Sequence, residues 1–137
     1  MKKLFWIFAI LFLTHCGEKP PAKESGFKAE HPIEITVKKL EGKRYQLELF
    51  LPKNYGFQVQ APHKILLSGK NGLKVVSADL KLNGPIHPEK MEYFEYVKPM
   101  NLEMEGSGSL ELDAKLYYCN FQKNICIPGK VNSTFPI

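Results

Sequence analysis

The feature that most constrains this chain is a strict alternation of apolar and polar residues. It is clearest in LELDAKLYY at residues 110–118, and it recurs at residues 33–37 and 45–51. A repeat of two places every second side chain on the same face of an extended strand. Each of these segments therefore predicts a strand with one buried face.

Shorter stretches extend the same pattern along the chain. Further strands are predicted at residues 64–67, 73–82, 92–97, 101–105 and 131–137. Turn signals rich in glycine and asparagine separate them, at residues 41–43, 70–72, 83–85 and 106–108. No segment has helical spacing of apolar residues over three turns. We therefore predict an all-β protein, an immunoglobulin-like antiparallel β-sandwich of about seven to nine strands.

The first residues have a different character. Lys2 and Lys3 precede the apolar run LFWIFAILFL, which ends three residues before Cys16 and a polar stretch that contains prolines. The run is about half as long as a membrane-spanning helix and suits a signal peptide. Its end on a cysteine resembles a bacterial lipoprotein signal, although an ordinary cleaved signal is the alternative. We predict a signal peptide at residues 1–15, a lipidated Cys16 with a flexible tether at 16–31, and one domain at 32–137.

The charge of the chain disfavours nucleic acid as a partner. The formal charge is +5, and removal of Lys2 and Lys3 with the signal lowers it to +3. No cluster of Lys or Arg longer than two residues remains, so we expect no nucleic-acid binding. Export would place the domain in the cell envelope, lipid-anchored on the periplasmic face or at the outer membrane or cell surface, where disulfides persist.

The candidate site is LYYCNFQKNICIP at residues 116–128, where Cys119 and Cys126 stand seven positions apart. A structural disulfide there would close a β-hairpin and contribute about 2.5 kcal/mol on the chain-entropy model. A redox pair would need exposed sulfur and nearby positive charge, for which Lys123 and Lys130 are candidates. A metal site would need further ligands, and the available ones are His31, His63, His87, Met91, Met100 and Met104. The spacing of the two cysteines alone does not decide between a structural disulfide, a redox pair and a metal site.

The same stretch resembles the N-terminal periplasmic domain of the thiol:disulfide interchange protein DsbD and its stand-alone relatives. In that family an aromatic-rich strand leads into Cys, a short loop, Cys and Pro, and the chain closes on Pro-Ile, here Pro136 and Ile137. LPKNYGFQVQAP at residues 51–62 and MEYFEYVKPMNLEM at 91–104 are similar to further family segments. The resemblance covers residues 33–137.

The resemblance implies an immunoglobulin-like sandwich with one redox-active pair, Cys119 and Cys126, and no cofactor. Its partners would be thioredoxin-like redox proteins or a membrane thiol-electron transporter, with the membrane reached through the lipid on Cys16. Tyr55 and Tyr118 would pack around the sulfurs. Which cysteine exchanges first is left open.

One departure concerns the loop that caps the disulfide in this family. The corresponding residues 84–91 contain no aromatic side chain, and the first ones follow at Tyr93 and Phe94. A missing cap would leave the disulfide more exposed. The alternative function is a β-sandwich envelope or surface lipoprotein that acts as a binding or assembly module, with a purely structural disulfide.

Overall fold

The computed structural model describes residues 31–137, and within this range the chain is built from strands without a helix. The eight strands are β1 Glu34–Lys39, β2 Arg44–Phe50, β3 Tyr55–Phe57, β4 Lys64–Lys70, β5 Lys74–Ala78, β6 Met100–Glu105, β7 Ser109–Asn120 and β8 Ile125–Pro136. The predicted all-β sandwich of seven to nine strands is confirmed.

The strands form two antiparallel sheets. The first has the order β1-β2-β6-β5. In the second, β7 is central because it pairs along one edge with β4 and β3 in succession and along the other edge with β8. Within the described part of the chain, β8 pairs only with β7, so its outer edge is open there.

The alternation in the sequence becomes the core of the sandwich. Leu110, Leu112, Ala114, Leu116 and Tyr118 are all buried on the inner face of β7. They pack against buried side chains of the other sheet such as Leu47, Leu102 and Met104. Burial of this apolar surface on both inner faces is what holds the two sheets together.

Several segments differ from the sequence prediction. Strand β8 begins at residue 125 rather than 131, and β5 ends at residue 78 rather than 82. The three-residue strand β3 was not predicted as a separate strand. Residues 92–97, predicted as a strand, form only isolated bridges, from Tyr93 to Gln58 and from Phe94 to Ile86. Phe94 and Val97 are the buried residues of this segment, and a spacing of three does not match the repeat of a strand.

The predicted signal peptide and the lipidated Cys16 lie outside the described residues, as does nearly all of the tether. Among residues 31–137, none belongs to a helix long and apolar enough to cross a membrane.

Candidate functional site

The two cysteines stand opposite each other on the β7–β8 hairpin and are joined by a disulfide. Cys119 pairs in register with Cys126, and the adjacent pair of Asn120 and Ile125 closes the hairpin over residues 121–124. The predicted disulfide at the end of a strand is therefore present. It links strands that the backbone ladder already holds side by side.

Opposite residues of an antiparallel ladder form either hydrogen-bonded or non-hydrogen-bonded pairs. The class to which Cys119 and Cys126 belong follows from a nearby pair, Tyr117 opposite Pro128. The Tyr117 N–H donates to His63 Nδ1 at 3.1 Å, and its carbonyl accepts the N–H of Gln58 at 3.1 Å. Both groups thus point away from β8, where Pro128 has no N–H to offer. Tyr117 and Pro128 form a pair without hydrogen bonds between them.

Cys119 and Cys126 lie two residues further along both strands and so belong to the same class of pair. Their Cα atoms are 3.9 Å apart, which agrees with the close approach of a non-hydrogen-bonded pair, about 4.5 Å, rather than the 5.5 Å or so of a bonded one. The backbone N–H and C=O of Cys126 therefore face the open outer edge of β8.

The two sulfur-bearing residues differ sharply in exposure. Cys119 is 2% exposed, whereas Cys126 is an exposed residue of the edge strand. Its neighbours Ile125 and Ile127 are also exposed, at 47% and 42%. A reagent or partner arriving from solvent meets Cys126 first.

Gly56 on β3 stands beside Cys119 and leaves room for neighbouring side chains. The register puts Gly56, Cys119 and Cys126 in one row across three strands, so they share a face of the sheet. A side chain at Gly56 would find Phe121 Cζ at 2.7 Å and Tyr93 Cβ at 3.1 Å. Two aromatic side chains therefore fill the space beside Cys119.

Tyr93 also reaches the exposed sulfur. Its hydroxyl lies 3.8 Å from Cys126 Sγ, and its ring packs edge-on against Phe121 with centroids 4.8 Å apart. We refer to Tyr93 and Phe121 together as the aromatic cover. Residues 84–91 contain no aromatic side chain, but Tyr93, the first aromatic residue after them, lies at the disulfide.

The segment that carries Tyr93 is organised around a histidine. His87 Nδ1 accepts the backbone N–H groups of Glu89 and Lys90, both at 3.1 Å. The His87 ring lies edge-on to the Phe121 ring, with centroids 6.0 Å apart. Lys90 Nζ lies 4.9 Å from the centroid of the Phe121 ring. A cationic group over an aromatic face is attractive, so Lys90 helps to hold Phe121 in place.

Tyr55 and Tyr118 lie on the other side of the sheet. Tyr118 precedes Cys119 on β7 and points into the core, where its ring lies 6.0 Å from that of Tyr55. Burial, with a smaller contribution from Tyr55, raises the pKa of the Tyr118 hydroxyl above its ordinary value. They lie behind the strands that carry the cysteine row, whereas Tyr93 and Phe121 lie beside the row itself.

The side chains weighed as metal ligands do not gather around the sulfurs. Met100 and Met104 are buried in the core, and Met91 is 79% exposed. His63 is hydrogen-bonded through both ring nitrogens, to Gln58 and Tyr117. No three His, Cys, Asp or Glu side chains converge on a metal-sized site anywhere in residues 31–137.

A cleft of about 460 Å³ opens next to the aromatic cover. It runs between residues 49–57 and residues 94–97, and Phe121, His87 and Lys90 line its end near the disulfide.

Comparison with known proteins found no matching protein family, no similar curated protein and no similar solved structure. The resemblance to the DsbD domain stays a prediction.

Proposed function

We propose that this domain exchanges electrons with thioredoxin-like proteins through Cys119 and Cys126. The observation that carries the proposal is the unequal exposure of the two residues: Cys126 is exposed on an open strand edge, and Cys119 is 2% exposed beneath an aromatic cover. Thiol–disulfide exchange needs one accessible sulfur for attack and a second one close by to leave and return. The hairpin offers this arrangement.

The unequal exposure of the two cysteines supports one order of events. A partner thiolate forms a bond to Cys126 Sγ, the bond between the two cysteine sulfurs breaks, and Cys119 leaves as a thiolate that takes up a proton. The second thiolate of the partner then attacks the partner sulfur that is bonded to Cys126. This releases Cys126 as a thiolate, which is protonated in turn. Two electrons and two protons have moved from the partner dithiol to the domain.

The reverse sequence passes the electrons on. The Cys126 thiolate attacks an oxidised partner, and Cys119 resolves the mixed disulfide from a position that the strand pairing already fixes. The domain is in this proposal an electron carrier, attached to the cell envelope through Cys16. A membrane thiol-electron transporter or a thioredoxin-like protein would reduce it. The predicted signal peptide and the resemblance to the DsbD domain support the envelope location.

The redox equilibrium tests the proposal directly. The protein is incubated in glutathione buffers of graded potential, and free thiols are counted by the mass added on alkylation. We expect the disulfide to open at a potential less negative than about −300 mV, the range of labile and catalytic disulfides. A bridge that stays closed well below that potential would be structural and would favour the binding-module alternative.

A trapping experiment tests the assignment of Cys126. The variants Cys119→Ser and Cys126→Ser each keep one cysteine of the hairpin. Each is mixed with a thioredoxin-like protein whose single surface cysteine carries a thionitrobenzoate leaving group. We expect the variant that retains Cys126 to form the mixed disulfide at least tenfold faster, because its sulfur is exposed. Equal rates, or the opposite order, would contradict the assignment.

A further inference from the structure

The loop between the cysteines is organised by a polar side chain that the exchange chemistry does not use. Asn120 is 8% exposed and is the one buried polar residue within residues 31–137. It follows Cys119 directly at the end of β7 and pairs with Ile125 across the hairpin. A buried amide is costly unless its hydrogen bonds are made, so its contacts show what it stabilises.

Asn120 uses both ends of its amide. Its Oδ1 accepts the backbone N–H groups of Gln122 at 3.0 Å and Lys123 at 3.2 Å, which fixes the first half of the loop. Its Nδ2 donates to the Tyr55 hydroxyl at 3.2 Å, on the neighbouring strand β3. One side chain thus ties the cysteine loop to the body of the sheet.

The backbone reinforces this attachment. The N–H of Phe121 donates to the carbonyl of Asn54 at 2.8 Å, and Asn120 is in register with Tyr55. Asn124 completes the tight connection with a φ of 53°, in the left-handed region that asparagine tolerates. None of these bonds involves a sulfur atom.

We infer that Asn120 is a positioning residue that keeps the two cysteines in register when the disulfide is open, and so sets the redox equilibrium of the pair. The inference rests on the proposed exchange function. In the oxidised domain the covalent bridge holds the loop with or without Asn120. In the dithiol, the bonds to Gln122, Lys123 and Tyr55 take over that role, and the thiols remain opposite each other.

The sign of the effect follows from the entropy of the loop. An ordered dithiol has little freedom left to lose when the sulfurs join, so the disulfide forms readily. Without Asn120 the reduced loop gains conformational freedom that the oxidised loop cannot share. The equilibrium then shifts toward the dithiol, and the mixed disulfide with a partner is resolved more slowly because Cys119 is less well placed.

The test compares redox equilibria in dithiothreitol buffers. We expect Asn120→Ala to shift the equilibrium constant about tenfold toward the dithiol, which is about 30 mV less negative for a two-electron couple. Tyr55→Phe removes one of the three hydrogen bonds of the Asn120 side chain. We expect it to shift the equilibrium constant two- to threefold in the same direction. The control is Gln122→Ala, because the Asn120 bond uses only the backbone N–H of residue 122, and we expect the wild-type value.

The outcomes separate this inference from a merely structural role. If Asn120 only stabilises the fold, Asn120→Ala would lower the free energy of unfolding equally in both redox states and leave the redox equilibrium unchanged, and that result would overturn the inference. If Asn120→Ala does not fold, Tyr55→Phe decides by the same criterion. A wild-type disulfide that opens in dithiothreitol but in no glutathione buffer would contradict the exchange function, while the effect of Asn120 is still measured.

Discussion

Gly56 stands beside Cys119 on β3, and the space that a side chain would need there is occupied by the aromatic cover. A Cβ would lie 2.7 Å from Phe121 Cζ, closer than packed carbon atoms approach. We expect Gly56→Ala to displace the cover, to cost about 1–3 kcal/mol of stability, and to speed reduction of the disulfide by dithiothreitol. The rate is measured by alkylation and mass spectrometry.

A milder variant of the cover provides the comparison. Tyr93→Phe keeps the ring against Phe121 and removes only the hydroxyl that lies 3.8 Å from Cys126 Sγ. We expect its reduction rate to lie between those of the wild type and Gly56→Ala. If Gly56→Ala is reduced at the wild-type rate, the aromatic cover does not limit access to the disulfide.

We expect His63 to make the stability of the domain dependent on pH. Burial lowers the pKa of His63 below its ordinary value of about 6.5, against a smaller opposing effect of the bond to the Gln58 carbonyl. The bond between Nε2 and that carbonyl is 2.6 Å long, and Nδ1 must stay unprotonated to accept the Tyr117 N–H. Protonation of the ring thus breaks a bond that holds residues 58–63 against β7.

The unfolded chain binds a proton at His63 more readily than the folded one. The contribution of neutral His63 is therefore complete above the ordinary pKa and is lost as the pH falls from about 7 toward the lowered value. We expect the free energy of unfolding, measured in urea, to decrease over this interval. In His63→Gln that part of the dependence should be absent, and an unchanged slope would exclude His63 as its source.

At the scale of the strand, β8 combines prolines with an outer edge to which no other strand of residues 31–137 pairs. The register makes Pro128 one of the residues whose N–H position faces outward, so the edge lacks a donor two residues from Cys126. Prolines at such positions hinder pairing with another chain. We expect Pro128→Val, which supplies the missing donor, to increase self-association, measured by sedimentation over a range of protein concentrations.

The control for this variant must change strand propensity without adding a donor. Thr134→Val does so on the exposed part of the same strand, and we expect it to remain at the wild-type level of association. Equal self-association of the two variants would show that surface hydrophobicity, rather than the backbone donor, governs pairing at this edge.

Local pattern predicted most of β7 and the second half of β8, because the alternation of apolar and polar residues depends on near neighbours in the sequence. The alternation in β7 predicted its buried face and placed Cys119 at the end of the strand, whereas the spacing of the two cysteines left a metal site open beside a disulfide. Tyr93 was missed as part of the site because its place depends on the bridge to Gln58, which is distant in sequence. The position of Asn120 one residue after Cys119 was a usable signal, since asparagine commonly bonds to backbone two residues further on.

At the scale of the whole molecule, we expect the core to hold the fold without the disulfide. Buried side chains from both sheets form one cluster, and the cysteines close a loop of only eight residues. We expect Cys119→Ala combined with Cys126→Ala to stay folded and to lose at most about 2.5 kcal/mol in urea unfolding. An unfolded double variant would mark the bridge as a structural requirement and would contradict its use as a reversible carrier.

The pairing class of Cys119 and Cys126 has one more consequence. Because no backbone hydrogen bond joins these two residues, opening the bridge between their sulfurs removes no rung of the ladder. The dithiol and disulfide forms of the domain would then have nearly the same outline. A partner that binds one of the two forms in preference would have to recognise the chemical state of the exposed Cys126. The shape of the domain would differ too little between the reduced and the oxidised form to be recognised.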